Sequence, residues 1–371
     1  MAAQLSTTVE RDDKRTLVVV FLRGGADGLT LVVPREDDHY YRARPLLAVK
    51  KQETINLDGT FGLHPQLAPL EAAWKEGDLA IVHAAGSEDD TRSHFEAQDL
   101  MEHGGLVAGG WLGRFLRARG PGTSPLSAVA LAPTLPEVLS GAPGATAFQQ
   151  IGEFSIGTET AEFSRELRRL YEIESGPLRA AAENTFEAMR RIEAIDVKAS
   201  PANGAAYDAN DDFHQGLRQV AQLIRADVGL DAASVDLNGW DTHFTQNIAI
   251  TGNITSLGGG LAAFRRDLGA RMAATTVVVM SEFGRRFAEN TSFGTDHGRG
   301  GVMFVMGGGV RGGRMHGEWR GLSRELLEGP GDLPVWTNYR DVLAPVLARH
   351  GATATAMGKI FPGHALKSLP V

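Results

Sequence analysis

Continuous apolar runs, rather than alternating ones, predict the strands of this chain. The runs begin near Thr16, Leu79, Ser234, Thr275 and Val302. Unbroken apolar character indicates strands that are covered on both faces, which is typical of parallel sheets. The last two runs, VVVM and GVMFV, bracket a segment dense in charged residues. Both are therefore predicted to be buried parallel strands, with the charged segment as the loop that leaves the first of them.

Segments with helical periodicity separate these strands. Amphipathic helices are predicted at 213–227 and 257–272. Alternating strands and helices predict one α/β domain over residues 1–371, with three α/β/α layers around a mainly parallel central sheet. Residues 120–205 differ, because they carry no strong buried strand and their second half is helical and charged. We expect this part to be a helical insertion or cap within the domain.

Composition excludes several classes of protein. A hydrophobic content of 43% over 371 residues provides an ample core, and a net charge of −8 disfavours binding to nucleic acid. The absence of cysteine excludes disulfides, thiolate metal sites and a cysteine nucleophile. No apolar run reaches the roughly 18 residues that a membrane span requires. No apolar signal core precedes the first strand, so the chain as given is expected to be cytoplasmic, or periplasmic if a leader has been removed.

Acidic and imidazole side chains follow the predicted strands at their carboxyl ends. These residues are Asp27, Asp241, His243, Glu282, Asp296 and His297. Ligands of open α/β folds bind at this edge of the sheet, and these groups suit divalent ions such as Zn, Mn, Mg or Ca. Each group alone has a structural explanation, since Asp27 can be a turn residue and Glu282 can pair with a neighbouring arginine. Their recurrence at several strand ends predicts a site for one or two divalent ions.

The stretch DDTRSHFEAQD follows the second strand and predicts a helix start. Its first residues can cap the helix, with Glu96 closing the interaction. A hydroxyl at a helix N-terminus also lies in a positive field that favours an anion. Thr91 or Ser93 is therefore a candidate nucleophile, with Arg92 as an anion clamp and His94 as a proton carrier. The paired arginines of RRFAEN, by contrast, are predicted to lie on a solvated helical face.

Several ordered motifs resemble a known family. The pieces FLRGGADGL, TRSHFEAQD, GWDTH, SEFGRR and TDHGRGGVMFVMGGGVRGG resemble the bacterial family catalogued as domain of unknown function 1501, from Thr16 to about Pro362. That family is similar to the alkaline phosphatase-like superfamily of phosphatases, sulfatases, phosphodiesterases and cofactor-independent phosphoglycerate mutases. The resemblance implies a three-layer α/β/α fold. Many superfamily members hold two divalent metals beside a serine, threonine or formylglycine nucleophile.

The resemblance assigns roles to individual positions. Asp27 matches the aspartate ligand that follows the first strand of the superfamily. Asp241 and His243 take the place of the Asp and His that share one metal. Glu282 takes the position of a further aspartate, and His297 that of the last histidine.

The sequence departs from the superfamily at one ligand. Phe283 stands where a histidine is expected, which puts the second metal in doubt unless Asp296 or His94 replaces it. In a second alignment, Asp296 and His297 form the Asp-His pair and His316 is the final histidine. The first alignment is preferred, because VVVMSEFG predicts a strand that leads directly into its motif.

The resulting hypothesis is a metal-dependent hydrolase of phosphate or sulfate esters, whose substrate is an anionic small molecule or polymer. Thr91 or Ser93 falls where the superfamily nucleophile opens a helix, and the position slightly favours Thr91. The alternative is a non-catalytic or repurposed relative that binds a metal or an anionic ligand. Other metal chemistry, such as isomerisation or transfer, is a third class, and nothing in the sequence indicates the oligomeric state.

Overall fold

The computed structural model describes residues 15–120, 124–153, 161–173, 175–367 and 369–371. The first fourteen residues, where a leader would be sought, lie outside this range. Within it, no helix has both the length and the apolar character needed to cross a membrane. A mixed sheet forms the middle layer and helices cover both of its faces, which confirms the predicted three-layer α/β/α fold with a mainly parallel sheet.

Most of the strands lie within residues 16–86 and 275–338. They are, in chain order, β1 (Thr16–Leu22), β2 (Val32–Val33), β3 (Ile55–Asn56), β4 (Gly62–Leu63), β5 (Leu79–Gly86), β6 (Ala128–Ala130), β7 (Ala145–Ala147), β8 (Ala232–Leu237), β9 (Thr275–Ser281), β10 (Gly301–Gly307), β11 (Arg314–His316) and β12 (Thr337–Asn338). Within the described residues the central sheet has nine strands in the order β11-β5-β10-β9-β1-β8-β6-β7, with β12 paired to β5. Strands β2, β4 and β3 form a small separate sheet.

The helices are mostly short, and the longest is α9. They are α1 (Gly28–Leu31), α2 (Asp38–Ala43), α3 (Glu71–Lys75), α4 (His94–His103), α5 (Trp111–Arg119), α6 (Ala161–Ile173), α7 (Pro177–Glu193), α8 (Asp212–Arg225), α9 (Gln246–Leu268), α10 (Tyr339–Arg349) and α11 (Ala354–Ile360). Short 3₁₀ turns lie at Pro65–Leu70, Glu137–Leu139, Ile151–Glu153, Ala202–Gly204, Gly269–Ala274 and Arg324–Leu326.

Strand β1 explains why its apolar run is continuous. Val18 and Val20 face one core, which is completed by α8 and α9. Leu17 and Val19 face the opposite core, which is completed by α5 and α10. Successive side chains of a strand point to opposite faces, so a strand that is covered on both sides needs apolar residues at every position.

Strand β10 corrects the prediction that both strands around the charged segment are parallel. It runs antiparallel to β9 and to β5, whereas β1 pairs in parallel with β8 and β9. A parallel return requires a long crossover, usually a helix. Residues 282–300 are all described and contain no helix, and the antiparallel pairing shows that the chain turns back at the same edge. This reversal keeps Glu282 and His297 at one edge of the sheet.

The predicted insertion at 120–205 divides into two parts. Strands β6 and β7 extend the central sheet in parallel, and β6 pairs with β8. The sequence did not reveal them, because each is three residues long and consists mainly of alanine. Helices α6 and α7 follow, and Met189 and Ile192 of α7 are buried. A capping role for α6 and α7 stays a prediction, and residues 121–123, 154–160 and 174 of the insertion lie outside the described residues.

Candidate metal centre

The turns after β1 and β8 pack backbone against backbone at the carboxyl edge. Gly24 has a φ of +120°, and a Cβ placed on it would lie 2.5 Å from the amide nitrogen of Asp241. The Trp240 amide donates to the Arg23 carbonyl at 3.1 Å. Glycine is therefore required at position 24, both for its backbone angle and for the close approach. The contact fixes the segment that carries Asp241 and His243.

Three histidines converge on the carboxylate of Asp241. His243 Nε2 lies 3.0 Å and His297 Nε2 3.2 Å from its Oδ1, and His94 Nε2 lies 3.3 Å from its Oδ2. The Nε2 atoms of His243 and His297 are 2.9 Å apart. The side chain of Asp241 is 46% exposed, so the cluster is open to solvent. The structure thus brings together three predicted metal ligands and His94, which the sequence assigned to catalysis.

The opposite ring nitrogens of two of these histidines face oxygen acceptors. His297 Nδ1 lies 2.8 Å from the Arg92 carbonyl, and His94 Nδ1 lies 2.8 Å from Glu282 Oε1. A carbonyl oxygen only accepts, so Nδ1 of His297 carries the hydrogen and its Nε2 presents a lone pair. Histidines that ligate metals are typically held in this way, with the second nitrogen donating to a carboxylate or carbonyl.

His243 is held more loosely by Asp296. Its Nδ1 lies 3.5 Å from Asp296 Oδ1, which also accepts from Asn290 Nδ2 at 3.1 Å. Arg286 Nη1 donates to the other carboxylate oxygen at 3.1 Å. The hydrogen bond from Asn290, opposed by slight burial and reinforced by Arg286, lowers the pKa of Asp296, which keeps the carboxylate ionised. Asp296 therefore orients a histidine of the cluster instead of pointing into it.

Glu282 also holds a histidine of the cluster, His94, through its Nδ1. It is buried, and its Oε1 accepts from the Gly24 amide at 2.8 Å and from Gln98 Nε2 at 3.0 Å, in addition to His94. Burial raises the pKa of Glu282, but the hydrogen bonds from His94 and Gln98 outweigh it and hold the pKa below its ordinary value. The same bond to Glu282 raises the pKa of His94. Glu282 is thus an ionised acceptor that fixes the ring of His94.

Arg285 is a buried cation at the base of the centre, and this position corrects the prediction of a solvated helical face. It donates to Asp241 Oδ1 at 2.8 Å. It also donates to the backbone carbonyls of Gly24, Gly25, Trp240 and Thr295. Burial raises the pKa of Asp241, but the hydrogen bond and the charge of Arg285 lower it to about 2. Arg285 joins the strand ends and keeps Asp241 negative.

The donor set fits a divalent ion. His94 Nε2 is buried and has no hydrogen-bond partner among the described residues. Because His297 Nε2 presents a lone pair, either a hydrogen carried by His243 Nε2 or a cation must lie between these two nitrogens, which are 2.9 Å apart. Four ligands of a tetrahedral zinc ion lie about 3.3 Å apart when each bond is about 2.0–2.1 Å. The spacings among Asp241 Oδ1, His243 Nε2 and His297 Nε2, 2.9 to 3.2 Å, are close to this value. The ligand atoms of His94, Asp241 and His297 all lie within 4.8 Å of one another, and His243 lies outside that group of three.

Asp27 is not part of the cluster. Its carboxylate is 1% exposed and accepts from Arg44 Nη1 at 2.5 Å, Thr30 Oγ1 at 2.8 Å and Gln246 Nε2 at 2.6 Å. Burial raises its pKa, but the charge and hydrogen bonds of Arg44 lower it further, so the group is ionised and fully engaged. The sequence expected a metal ligand here, and the structure provides a buried ion pair.

Substitution of Asp27 by asparagine is expected to lower the free energy of unfolding by about 3–5 kcal/mol, because Arg44 would remain buried without a counter-ion. Urea denaturation measures the loss. The double variant Asp27→Leu/Arg44→Met should recover most of it, because neither charge is then left buried alone. Metal content should be unchanged in both variants. A stable Asp27→Asn protein that has lost its metal would show that Asp27 is a ligand after all.

The candidate nucleophiles both take part in capping α4. Ser93 is the N-cap residue, and its Oγ accepts from the Glu96 amide at 3.5 Å. Thr91 Oγ1 donates to Glu96 Oε2 at 2.6 Å and accepts from the Ser93 amide at 3.3 Å. Arg92 donates to the His297 carbonyl at 2.9 Å and to Asp332 Oδ2 at 2.6 Å. The hydroxyl hydrogen of Thr91 is therefore already donated to Glu96, whereas the Ser93 hydroxyl has no acceptor among the described residues.

The positions of Phe283 and His316 bear on the two alignments. Phe283 is buried beside the cluster, with its ring centre 4.9 Å from those of His94 and His297. His316 lies on edge strand β11 and its Nε2 donates to the Arg311 carbonyl at 2.7 Å. His316 is thus engaged with a backbone carbonyl and is not part of the group formed by His94, Asp241 and His297.

Fold and site define the class of protein: a three-layer α/β/α protein with a candidate metal centre at the carboxyl edge of its sheet. The chain belongs to the family described as Protein of unknown function (DUF1501), whose model matches residues 84–358. This confirms the family expected from the motifs. A comparison with curated proteins gives no significant match.

The solved structures with a similar arrangement include three bacterial proteins. The C-terminal periplasmic domain of EptC from Escherichia coli, in complex with Zn, is 9% identical over 81% of this chain and 74% of its own, with a TM-score of 0.40. The lipoteichoic acid synthase LtaP from Listeria monocytogenes is 10% identical over 88% and 75%, with a TM-score of 0.37. Alkaline phosphatase from the Antarctic bacterium TAB5 is 9% identical over 81% and 93%, with a TM-score of 0.33. At TM-scores below 0.5, these likenesses say nothing about the chemistry of this chain.

Proposed function

We propose that this protein is a metal-dependent hydrolase of phosphate or sulfate esters, with one divalent ion held by His94, Asp241, His243 and His297. The observation that carries the proposal is the convergence of three Nε2 atoms on the Asp241 carboxylate, with each Nδ1 facing an oxygen acceptor. An imidazole-rich set suits zinc better than magnesium or calcium, which prefer oxygen ligands. Zinc is therefore the first candidate.

One ion fits these residues better than two. Asp27 is neutralised by Arg44, and Glu282 is enclosed by four donors including Ser281 Oγ at 2.9 Å. Phe283 supplies no ligand atom. Three of the groups that would hold a second ion are thus engaged or apolar. A bound divalent ion supplies a Lewis acid towards an ester oxygen.

Two arginines beside the centre supply positive charge for an anionic group. Arg92 and Arg286 are each about one-third exposed, at 36% and 32%. Both approach the buried carboxylate of Asp332, Arg92 Nη2 at 2.6 Å and Arg286 Nε at 3.9 Å. Arg92 also contacts the His297 carbonyl, so the pair stands next to the ligand histidines. Guanidinium groups recognise phosphate and sulfate through paired N–H donors, which supports an ester of such an acid.

Ser93 is the better nucleophile of the two hydroxyls. It directly precedes His94 at the start of α4, and its proton is not donated to any described residue. In this role the Ser93 oxygen forms the bond to phosphorus or sulfur, and the alcohol leaves with the Ser93 proton. Water then releases the inorganic anion and restores the hydroxyl. Thr91 would first have to give up its short bond to Glu96.

The test of the proposed function is metal-dependent turnover. The protein is stripped with a chelator, reloaded with zinc, manganese, magnesium or calcium, and assayed on an aryl phosphate, a phosphodiester and an aryl sulfate. Turnover is expected only after reloading, and it should saturate at one equivalent of zinc. His316→Ala serves as the matched control, because that histidine lies outside the centre. A protein that binds one ion tightly but turns over none of these esters would establish the alternative, a metal-binding relative without hydrolase activity.

A further inference from the structure

Exposed phenylalanines directly follow two of the ligand histidines. Phe95 comes after His94 and is 85% exposed, and Phe244 comes after His243 and is 70% exposed. Large apolar side chains at such exposure are normal when scattered singly, but a group of them at one place marks a binding surface.

The group extends beyond these two residues. The Gln246 amide donates to the Phe293 carbonyl at 2.8 Å, which places the segment of Phe293 against the start of α9. Asn247 Nδ2 donates to the Leu46 carbonyl at 2.8 Å and attaches a third segment. The members of this apolar rim are Leu46, Phe95, Phe244, Ile248 and Phe293, all more than half exposed.

Backbone strain is concentrated in the same place. Phe293 has a φ of +60° and Thr245 a φ of +45°, a region that bulky and β-branched side chains rarely adopt. The Thr245 amide donates to the Ser292 carbonyl at 3.1 Å, so the two strained residues belong to one contact. Glycine or asparagine would relieve the strain at position 293, yet the chain carries a half-exposed aromatic ring there. Strained residues of this kind cluster at functional sites, and these two lie where the Phe293 segment meets the start of α9.

We propose that the apolar rim binds the aryl or alkyl group of the substrate, so that the ester is amphipathic. This inference rests on the proposed function and specifies its substrate class. Arg92 and Arg286 supply positive charge beside His297, whereas the phenylalanines follow the other two ligand histidines. The anionic group then lies at the metal centre and the apolar group lies against Phe95, Phe244 and Phe293, which removes apolar surface from water on both sides.

The experiment is a binding titration that needs no turnover. Zinc-loaded protein is titrated by calorimetry with methyl-, propyl-, butyl-, hexyl- and phenylphosphonate. Affinity is expected to rise about two- to fourfold for each methylene group up to the length that the rim covers. The variant Phe244→Ser/Phe293→Gly should lose this increase and keep the affinity for methylphosphonate. Glycine is chosen at 293 because it accepts the positive φ without strain. Ile173→Ser is the control, since Ile173 is 82% exposed on α6 and outside the rim.

The possible outcomes distinguish a failure of the apolar rim from a failure of the proposed function. Equal affinities along the series, with methylphosphonate bound, would contradict binding by the apolar rim. They would still support an anion site, meaning the metal centre with Arg92 and Arg286. Hexylphosphonate binding without methylphosphonate binding would support the rim and contradict the anion site. A protein that binds none of the phosphonates contradicts both. Zinc-independent binding to phosphatidylglycerol vesicles that the double variant abolishes would replace the proposal with a membrane-contact surface.

Discussion

The His297→Ala protein is expected to bind zinc more than about 100-fold more weakly than the parent protein. The reason is that removal of a partner behind a ligand already costs about 10- to 100-fold, and a ligand itself contributes more. Asp241→Ala and His243→Ala should have effects of the same size, because their donor atoms lie within 3.2 Å of His297 Nε2. Competition with a chromophoric chelator gives the affinities, and metal analysis after dialysis gives the stoichiometry.

Two kinds of variant control this result. His316→Ala should bind zinc as the parent does, because His316 donates to a backbone carbonyl away from the centre. Glu282→Gln and Asp296→Asn should have zinc affinities between those of His297→Ala and His316→Ala. The expected losses are about 10- to 100-fold, since each group orients a ligand histidine. Thermal unfolding checks that all variants fold. A parent protein without tightly bound metal, or a His297→Ala protein with parental affinity, would contradict the proposed centre.

Much of the fold could be predicted, because both cores lie against strands with continuous apolar runs. The direction of β10 could not, since a buried strand has the same composition in either direction. The segment 282–300 between β9 and β10 is long enough for a crossover, and only the structure shows that it contains no helix. Strands β6 and β7 were missed because three small residues carry no detectable pattern.

The sequence selected three of the four residues that meet at the proposed centre. Asp241, His243 and His297 lie at strand ends, and the rule that ligands bind at the carboxyl edge was sufficient to select them. Asp27 lies at an equivalent strand end, but Arg44 neutralises it. That partner is 17 residues away and comes from a different element, so the motif around Asp27 carries no sign of it.

The roles of His94 and Arg285 depended on information that only the fold contains. The sequence named His94 as a proton carrier beside a hydroxyl and also as a possible replacement ligand. Its Nδ1 contacts Glu282, a residue 188 positions away, and its Nε2 lies near Asp241. Arg285 lies in a charged stretch that resembles a solvated helix, but its three nitrogens make five hydrogen bonds to carbonyls and a carboxylate near several strand ends. Both roles are set by contacts distant in sequence.

Replacement of Ser93 by alanine is expected to reduce kcat for ester hydrolysis by a factor of about 10³ or more, while zinc affinity changes little. A nucleophile acts only in the chemical step, so its loss lowers turnover without removing a metal ligand. Because Ser93 also caps α4, the alanine variant loses about 1 kcal/mol of stability as well. Ser93→Asn separates the two effects, since asparagine caps a helix but offers no nucleophilic hydroxyl, and it should be equally inactive and more stable.

Thr91→Ala is the matched comparison, because Thr91 lies two residues away and also contributes to the helix start. Its loss removes the bond to Glu96 Oε2 and should change kcat by less than about tenfold, a loss of positioning and not of the reacting atom. Steady-state kinetics on an aryl phosphate and an aryl sulfate, with zinc content measured on the same samples, decide between the two residues. If Thr91→Ala is the inactive variant, the nucleophile is Thr91 and its bond to Glu96 must break during the reaction. If both variants keep parental turnover, the hydroxyls at the start of α4 only cap the helix, and the ester is not attacked from this position.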